Sequence, residues 1–270
     1  MKYFVLIIFQ GISLLTYCQN IYSLENRLNY ANYLVKNNDL KKALNEITSI
    51  ENAFPISNEV KILKTHCLLG LNQVSDAYNT ILEVPLDKSS SQEQLFLTLK
   101  CSLLNDNFNN NKLFNIWAED NPNKELLCYY TYFVKGIDSA IIYAKNNIND
   151  TIQQSFIIDL ITQPNIIQYR KKPILAGFLS LIPGIGQFYS LQKTDGFTAA
   201  SAIVLNGAVA WVTFNQNGLH SILGWVSGTM AVGFYFGNIV GAYKSAVRLN
   251  QLKTEMTNYE IKKRISILNF

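Results

Sequence analysis

Residues Leu181–Ser190 read LIPGIGQFYS and set one proline and two glycines inside the most apolar part of the chain. Two kinds of structure use such a string: a loop that cradles phosphate, and a bend in apolar backbone. A phosphate loop needs G-x-x-x-x-G-K-[ST], with lysine directly after glycine so that its ammonium reaches the phosphates. Here Lys193-Thr194 follows Gln192, and Gly184-Ile185-Gly186 lacks the third glycine of a dinucleotide fingerprint. The apolar run before it is too short and too punctuated by glycine for a Rossmann strand. The stretch is therefore read as a bend.

Membrane physics accounts for that bend. Pro173–Ile182 is apolar and long enough for about half a bilayer. Pro183 disfavours helix at Ile182 and removes a backbone donor. Gly184 and Gly186 permit the chain to reverse, giving a re-entrant elbow in which Gln187 and Tyr189 are the polar or interfacial contacts. Non-helical backbone at membrane depth persists only where protein or water satisfies it, and Gln187, Asn206 and Asn238 are the side chains expected to do so.

Downstream, Gly196–Phe214 carries no charged residue, and at 1.5 Å per residue it suffices to cross a core of about 30 Å. After a polar turn at Asn215–Gly218, Leu219–Tyr243 is again uncharged. The expected element is a transmembrane hairpin, with Trp211, Trp225 and Tyr243 at interfaces. Gly224 and Gly228 form one G-x-x-x-G, and Gly233, Gly237 and Gly241 form two more. Glycine at this spacing lets a second backbone approach closely. The five-residue step from Gly228 to Gly233 turns the stripe by roughly 140°, so two neighbours are implied. One is the Gly196–Phe214 helix; the other is the opening segment or a second copy of the chain. Asn206 and Asn238 are expected to bond between helices, since no ionisable residue accompanies them to form a charge relay.

The first half has a different rhythm. From Tyr22 to Thr162 apolar residues recur three and four apart, broken by asparagine-rich turns such as Asn37-Asn38-Asp39. Ala43 in DLKKALNEI is matched by Ala77 in QVSDAYNTI, and 77 − 43 = 34 is the tetratricopeptide period. Ala31, Leu34, Ala43, Ile47 and Pro55 fit the first unit. Thr65 replaces Ala31 in the second, and the pattern blurs beyond Ser91, although Ala140 and Ala144 resemble another second helix. An irregular bundle is the plainer alternative. His66 and Trp117 read as packed residues rather than ligands.

The ends and composition bound the rest. MKYFVLIIFQGISLLTYCQN has the layout of a secretory signal peptide cleaved before Gln19, or of a lipid anchor at Cys18. The remaining Cys67, Cys101 and Cys128 show no metal-binding spacing. Charged residues make up 16% of the 270, below the roughly 25% of an average soluble domain, as embedded sequence requires. The net charge of +4 is too diffuse for a nucleic-acid surface. No catalytic, cofactor or metal constellation emerges, so the chain is read as a non-enzyme without cofactors.

SLIPGIGQFYSLQKTDGF, two apolar helices and then GFYFGNIVGAYKSAVRLN together resemble the Pro-Gly-x-Gly-Gln-x-Tyr modules of uncharacterised Gram-negative envelope proteins, a domain of unknown function. Pro183, Gly184, Gly186, Gln187, Tyr189, Asp195, Gly196, Gly237, Asn238 and Gly241 carry the resemblance over about 171–250. It departs at Leu191, where a glycine commonly stands. The resemblance implies a membrane module and no particular activity.

The expected fold is all-α: a tetratricopeptide-like helical-repeat array, then a transmembrane hairpin with a re-entrant elbow. The expected divisions are a signal peptide at 1–18, repeats at 19–168, the hairpin module at 169–250 and a basic tail at 251–270. Arg170-Lys171-Lys172 and Lys244, Arg248 and Lys253 favour cytoplasmic ends, whereas an export signal places the repeats in the periplasm. Export is taken to dominate, giving an inner-membrane location. The expected partners are proteins at the repeats, the bilayer, and a second copy at the glycine stripes. The expected function is a membrane-anchored adaptor in the cell envelope, with a small pore or transporter component as the alternative.

Overall fold

The structure, a computed structural model, describes residues 22–55, 57–86, 90–108, 123–162 and 170–269. The expected signal peptide and Trp117 lie outside these residues. Among the described residues the chain is all-helical, without a strand. It divides into two compact units, Met1–Tyr143 with Lys262–Phe270, and Ala144–Ile261. These divisions differ from the boundaries expected from the sequence, because Thr151–Thr162 groups with the second unit and the last residues group with the first.

The first unit contains α1 (Leu24–Lys36), α2 (Leu40–Ala53), α3 (Asn58–Gly70), α4 (Val74–Leu82), α5 (Gln92–Leu104) and α6 (Lys124–Lys135). Each of α1 to α5 packs on its successor, α1 also touches α3, and α3 also touches α5. Local chemistry sets where these helices begin. The Oγ of Ser23, Ser57 and Ser91 each accept from the backbone N–H three residues on, occupying an orphan donor of the first turn. The capping serines are equally spaced, since 57 − 23 = 34 and 91 − 57 = 34.

The helix ends obey the same spacing. Asn38, Asn72 and Asp106 hold left-handed backbone at φ 61°, 61° and 56°, 34 residues apart in turn. In the first case Asp39 N–H bonds Leu34 O and Asn38 N–H bonds Val35 O; in the second Gln73 N–H bonds Leu68 O and Asn72 N–H bonds Leu69 O. That pairing stops an α-helix and reverses the chain, and asparagine tolerates the left-handed well better than most side chains. The regularity therefore lies in caps as much as in small core residues. It extends one unit past Ser91, where apolar pattern alone lost it.

The core of the first hairpin is Leu28, Ala31, Leu34, Ala43, Ile47 and Ile50, closed by Val60, Leu63 and Cys67 of α3. Ala31, Ala43, Ala77 and Thr65 are wholly buried, so small side chains stand where helices cross. Helix α5 is buried from Gln94 to Leu103 on every side. Its polar groups are paired inside: Gln94 Nε2 donates to Pro85 O at 2.8 Å, and Thr98 and Ser102 hydroxyls donate to backbone oxygens of their own helix. His66 Nε2 lies 2.7 Å from Glu93 Oε1, a partly exposed pair joining α3 to α5.

The second unit includes α8 (Thr151–Thr162), α9 (Pro173–Leu179), α10 (Ile185–Tyr189), α11 (Lys193–Asn217), a short 3-10 turn (Gly218–His220) and most of α12 (Ile222–Ile267). Helix α7 (Ile137–Asn147) holds the point at which the first unit gives way to the second. Helices α11 and α12 are each long and apolar enough to cross a membrane. Only 6% of the apolar window of α11 and 17% of that of α12 is buried within the protein. The residues read as a basic tail are the continuation of α12 as far as Ile267. Helix persists there because Thr257, Ile261 and Ile265 repeat every fourth residue and are buried.

Cys67, Cys101 and Cys128 are free and buried. Burial pushes the Cys67 thiol up from 9.0 to about 11, and Cys101 and Cys128 to about 12. The unfolded chain therefore releases these protons first. Their contribution is complete below pH 9 and is lost as pH rises through 11 to 12. Urea titrations of the detergent-solubilised chain, followed by labelling of the three thiols, should give a midpoint that falls from pH about 8 to about 10. A midpoint rising over that interval would contradict the burial of these thiols.

Candidate functional site

The elbow is assembled from α9, the turn at Ser180–Gly184 and α10, laid along one face of α12. Pro173 opens α9 at its first turn, where the missing N–H has no intrahelical partner to lose. The helix runs seven residues. At 1.5 Å per residue it covers about 10 Å, far short of a bilayer core. Gly184 then takes φ +87°, a conformation that glycine adopts without steric cost.

Two backbone groups at the two ends of the turn are met by a single side chain. Asn238 Nδ2 donates to Ser180 O at 2.9 Å, and Gly184 N–H donates to Asn238 Oδ1 at 3.3 Å. Asn238 is 2% exposed, so both groups it pairs are sealed from solvent. A second asparagine does the same at the entry: Lys171 N–H donates to Asn250 Oδ1 and Asn250 Nδ2 donates to Lys171 O, at 3.0 and 2.8 Å. The chain enters beside Asn250, descends α12 to Asn238 and then returns. Tyr189 Oη accepts from Lys172 N–H at 3.1 Å, and the Lys171 ammonium sits 4.5 Å from the Tyr189 ring centre. Tyr235 Oη donates to Leu181 O, and Ser190 Oγ to Gly186 O and Ala242 O.

Helix α12 offers Tyr235, Asn238, Ala242, Ala246 and Asn250 to this fold-back, all on one face by their three- and four-residue spacing. Ala176, Ala242 and Ala246 form its small core. Gly186 is inserted so closely that a Cβ there would strike Ala176 O, Ser180 Oγ and the Ala242 methyl. At Gly184 a Cβ would meet the backbone of Gly196. Gln187 is buried against Gly241, and its Oε1, like Ser180 Oγ, has no hydrogen-bond partner among the described residues.

The glycine stripes separate by neighbour. Gly224 and Gly228 face α11, where added Cβ atoms would meet Phe214 and Ala210. Of the second stripe only Gly241 faces the elbow; Gly233 and Gly237 have open space around them. Asn206 was expected to bond between helices. It instead donates to Ala202 O of its own helix at 2.8 Å, because the carbonyl one turn back is the acceptor within reach. The turn of the hairpin also lies three residues later than the sequence implied, at Gly218–Ser221. Helix α11 includes Asn215–Asn217, Ser221 Oγ accepts from Gly224 N–H, and the Trp225 indole donates to Leu219 O while standing edge-on to Phe214.

Several contributors were missed from the sequence. Tyr235, Ser180, Ser190 and Asn250 lie within the quoted stretches but are not among the residues read as functional there, and only the one-face spacing on α12 signals two of them. Leu191 was seen as a departure, and its backbone explains why: it holds φ 62°, with Gln192 N–H bonded to Gln187 O and Leu191 N–H to Phe188 O. That is the left-handed stop of α10, where glycine is favoured. Among the described residues no group of histidine, cysteine and carboxylate side chains is placed to hold a metal. No protein-family model, curated protein or solved structure matches the chain.

Asn238→Ala leaves Ser180 O and Gly184 N–H buried without partners, at about 1–3 kcal/mol for each orphaned group. Asn206→Ala removes a bond confined to one helix and is expected to cost about 1 kcal/mol or less. Melting of the two variants in detergent should separate them by several degrees. Gly186→Ala should prevent the elbow from forming, whereas Gly237→Ala should leave the monomer unchanged. Leu191→Gly should raise stability by about 1 kcal/mol through relief of left-handed strain, read as an upward shift of the same melting midpoint.

Proposed function

We propose that this chain is a non-enzymatic, membrane-anchored adaptor of the cell envelope, in which the second unit lies in the bilayer and the first presents a helical-repeat surface to protein partners. The observation that carries the reading is the apolar exterior of the second unit. Phe178, Leu181, Ile182, Phe197, Trp211, Leu223 and Phe236 are each more than half exposed. The polar backbone of the elbow, by contrast, is turned inward onto Asn238 and Asn250. Water would favour the opposite arrangement, and lipid favours this one.

On this reading the elbow re-enters the membrane and leaves on the side it entered, since Lys172 and Tyr189 meet at its mouth. The 34-residue spacing of three serine caps and three left-handed stops supports a tetratricopeptide-like array. Such arrays expose a continuous surface built from successive first helices. The motif resemblance supports membership of the Gram-negative envelope family, with the repeats periplasmic and the hairpin in the inner membrane. Gly233 and Gly237, open on α12, are where a second copy would pack.

A second reading, a small pore or transporter component, is favoured by one observation: Ser180 Oγ and Gln187 Oε1 are buried polar atoms without partners in the elbow. Crosslinking followed by affinity capture from membranes separates the two. The adaptor predicts a protein captured by the full chain and lost when 22–162 is deleted. Solute leakage through reconstituted vesicles that is abolished by Gln187→Leu, with no captured protein, would establish the pore instead.

A further inference from the structure

The last residues of the chain belong to the first unit, and they are held there by side chains that would otherwise be stranded. Arg264 forms a two-pronged ion pair with Glu125, Nε to Oε1 at 2.7 Å and an Nη to Oε2 at 3.2 Å. Glu125 is 4% exposed and also accepts from Tyr129 Oη at 2.8 Å. Lys262 pairs with Asp106 at 2.6 Å. Lys100, buried in the middle of α5, donates to Ser266 O at 3.0 Å and Leu268 O at 2.6 Å. It makes no ion pair with a carboxylate among the described residues.

This is a recognition geometry rather than general packing. The last carbonyls of a helix lack intrahelical donors and carry the negative end of its dipole, and a buried ammonium on α5 meets them. A buried carboxylate on α6 meets a guanidinium one turn earlier. Leu268, four residues after Arg264, lines a cavity of about 370 Å³ with Leu69, Phe96, Leu97 and Leu104, and His66 and Glu93 also line it. Apart from Leu268 itself, the named lining residues, Lys100 and Glu125 come from α3, α5 or α6, the side of the unit to which the repeats contribute their first helices.

We infer that α3, α5 and α6 form a groove whose ligand class is the C-terminal end of a helix carrying an arginine and, four residues later, a large aliphatic side chain, and that the chain fills this groove in cis with Lys262–Asn269. The inference rests on the adaptor reading and deepens it: the surface offered to partners is self-occupied, and a partner with the same chemistry competes with the chain's own end. Burial of Glu125 and Lys100 enforces the preference, because an occupant without the guanidinium or the free carbonyls leaves a buried charge unmet. A tethered segment competes at an effective concentration near the millimolar range, so a free peptide should be excluded until the tether is weakened.

The test uses the full chain in detergent micelles and a fluorescent synthetic peptide spanning 259–269. The Arg264→Glu chain, whose own end is repelled by Glu125, should bind the peptide at least tenfold more tightly than the unaltered chain. An Arg264→Glu chain that binds no better, while keeping native helicity, would overturn the inference. Should that variant fail to fold, hydrogen exchange on the unaltered chain decides. Amides of 263–269 should exchange at least tenfold faster than those of α3 and α5, because the end opens by itself. Exchange at one common rate would mean a permanent part of the core and would also overturn it. Neither readout requires a captured protein, so failure of the adaptor reading leaves both interpretable.

Discussion

A proline and a left-handed glycine interrupt a helix in apolar surroundings, and the backbone groups they release have to be paired by protein. Asn238 does this for the elbow, supplying an amide donor to Ser180 O and an amide acceptor to Gly184 N–H. The other contacts of the elbow with α12 are grouped around it. Because the amide reaches only a few ångströms from α12, the turn must lie directly on that helix. The residues around it on the same face must then be small: Gly241, Ala242 and Ala246 on α12, and Gly186 on the elbow. Asn250 repeats the device at the entry, so the fold-back is pinned at both ends by the same chemistry.

The first unit meets a related problem at its helix ends. Its helices are short, and each end leaves four backbone groups without intrahelical partners. In α1, α3 and α5 a serine side chain accepts from one of them at the start, and asparagine or aspartate in left-handed backbone follows the end. Repetition of these caps every 34 residues fixes helix length and the sense of each reversal. The wholly buried Ala31, Ala43 and Ala77 then allow neighbouring helices to cross closely. Among the described residues the buried charged side chains are Lys100 and Glu125, and the partly exposed Arg264 pairs with Glu125. Burial lowers the affinity of the Lys100 ammonium for its proton, and the Glu125 hydrogen bonds raise that of Arg264.

Much of this was legible in residue order. Composition and periodicity predicted an all-helical chain with two apolar helices near its end, because amphipathic spacing and uncharged runs are local properties. Pro183 with Gly184 and Gly186 marked the bend for the same reason: backbone freedom is a property of the residue. The capping serines Ser23, Ser57 and Ser91 were equally local and could have extended the repeat, but a search keyed to alanines passes over them. Leu191 registered as an anomaly, and a left-handed φ is the kind of strain that a sequence can flag without explaining.

Only the tertiary structure decided which polar group serves which backbone. Asn206 and Asn238 look alike in sequence, each an amide within an apolar helix. One bonds its own helix and the other holds the elbow, a difference that depends on what lies opposite each of them. In the same way Gly241 is covered while Gly233 and Gly237 are open, although the three share one stripe. The basic residues near the end read as a loose tail because charge density is all that order reveals there. Pairing Arg264 with Glu125 spans 139 positions, and no local pattern encodes a partner at that separation.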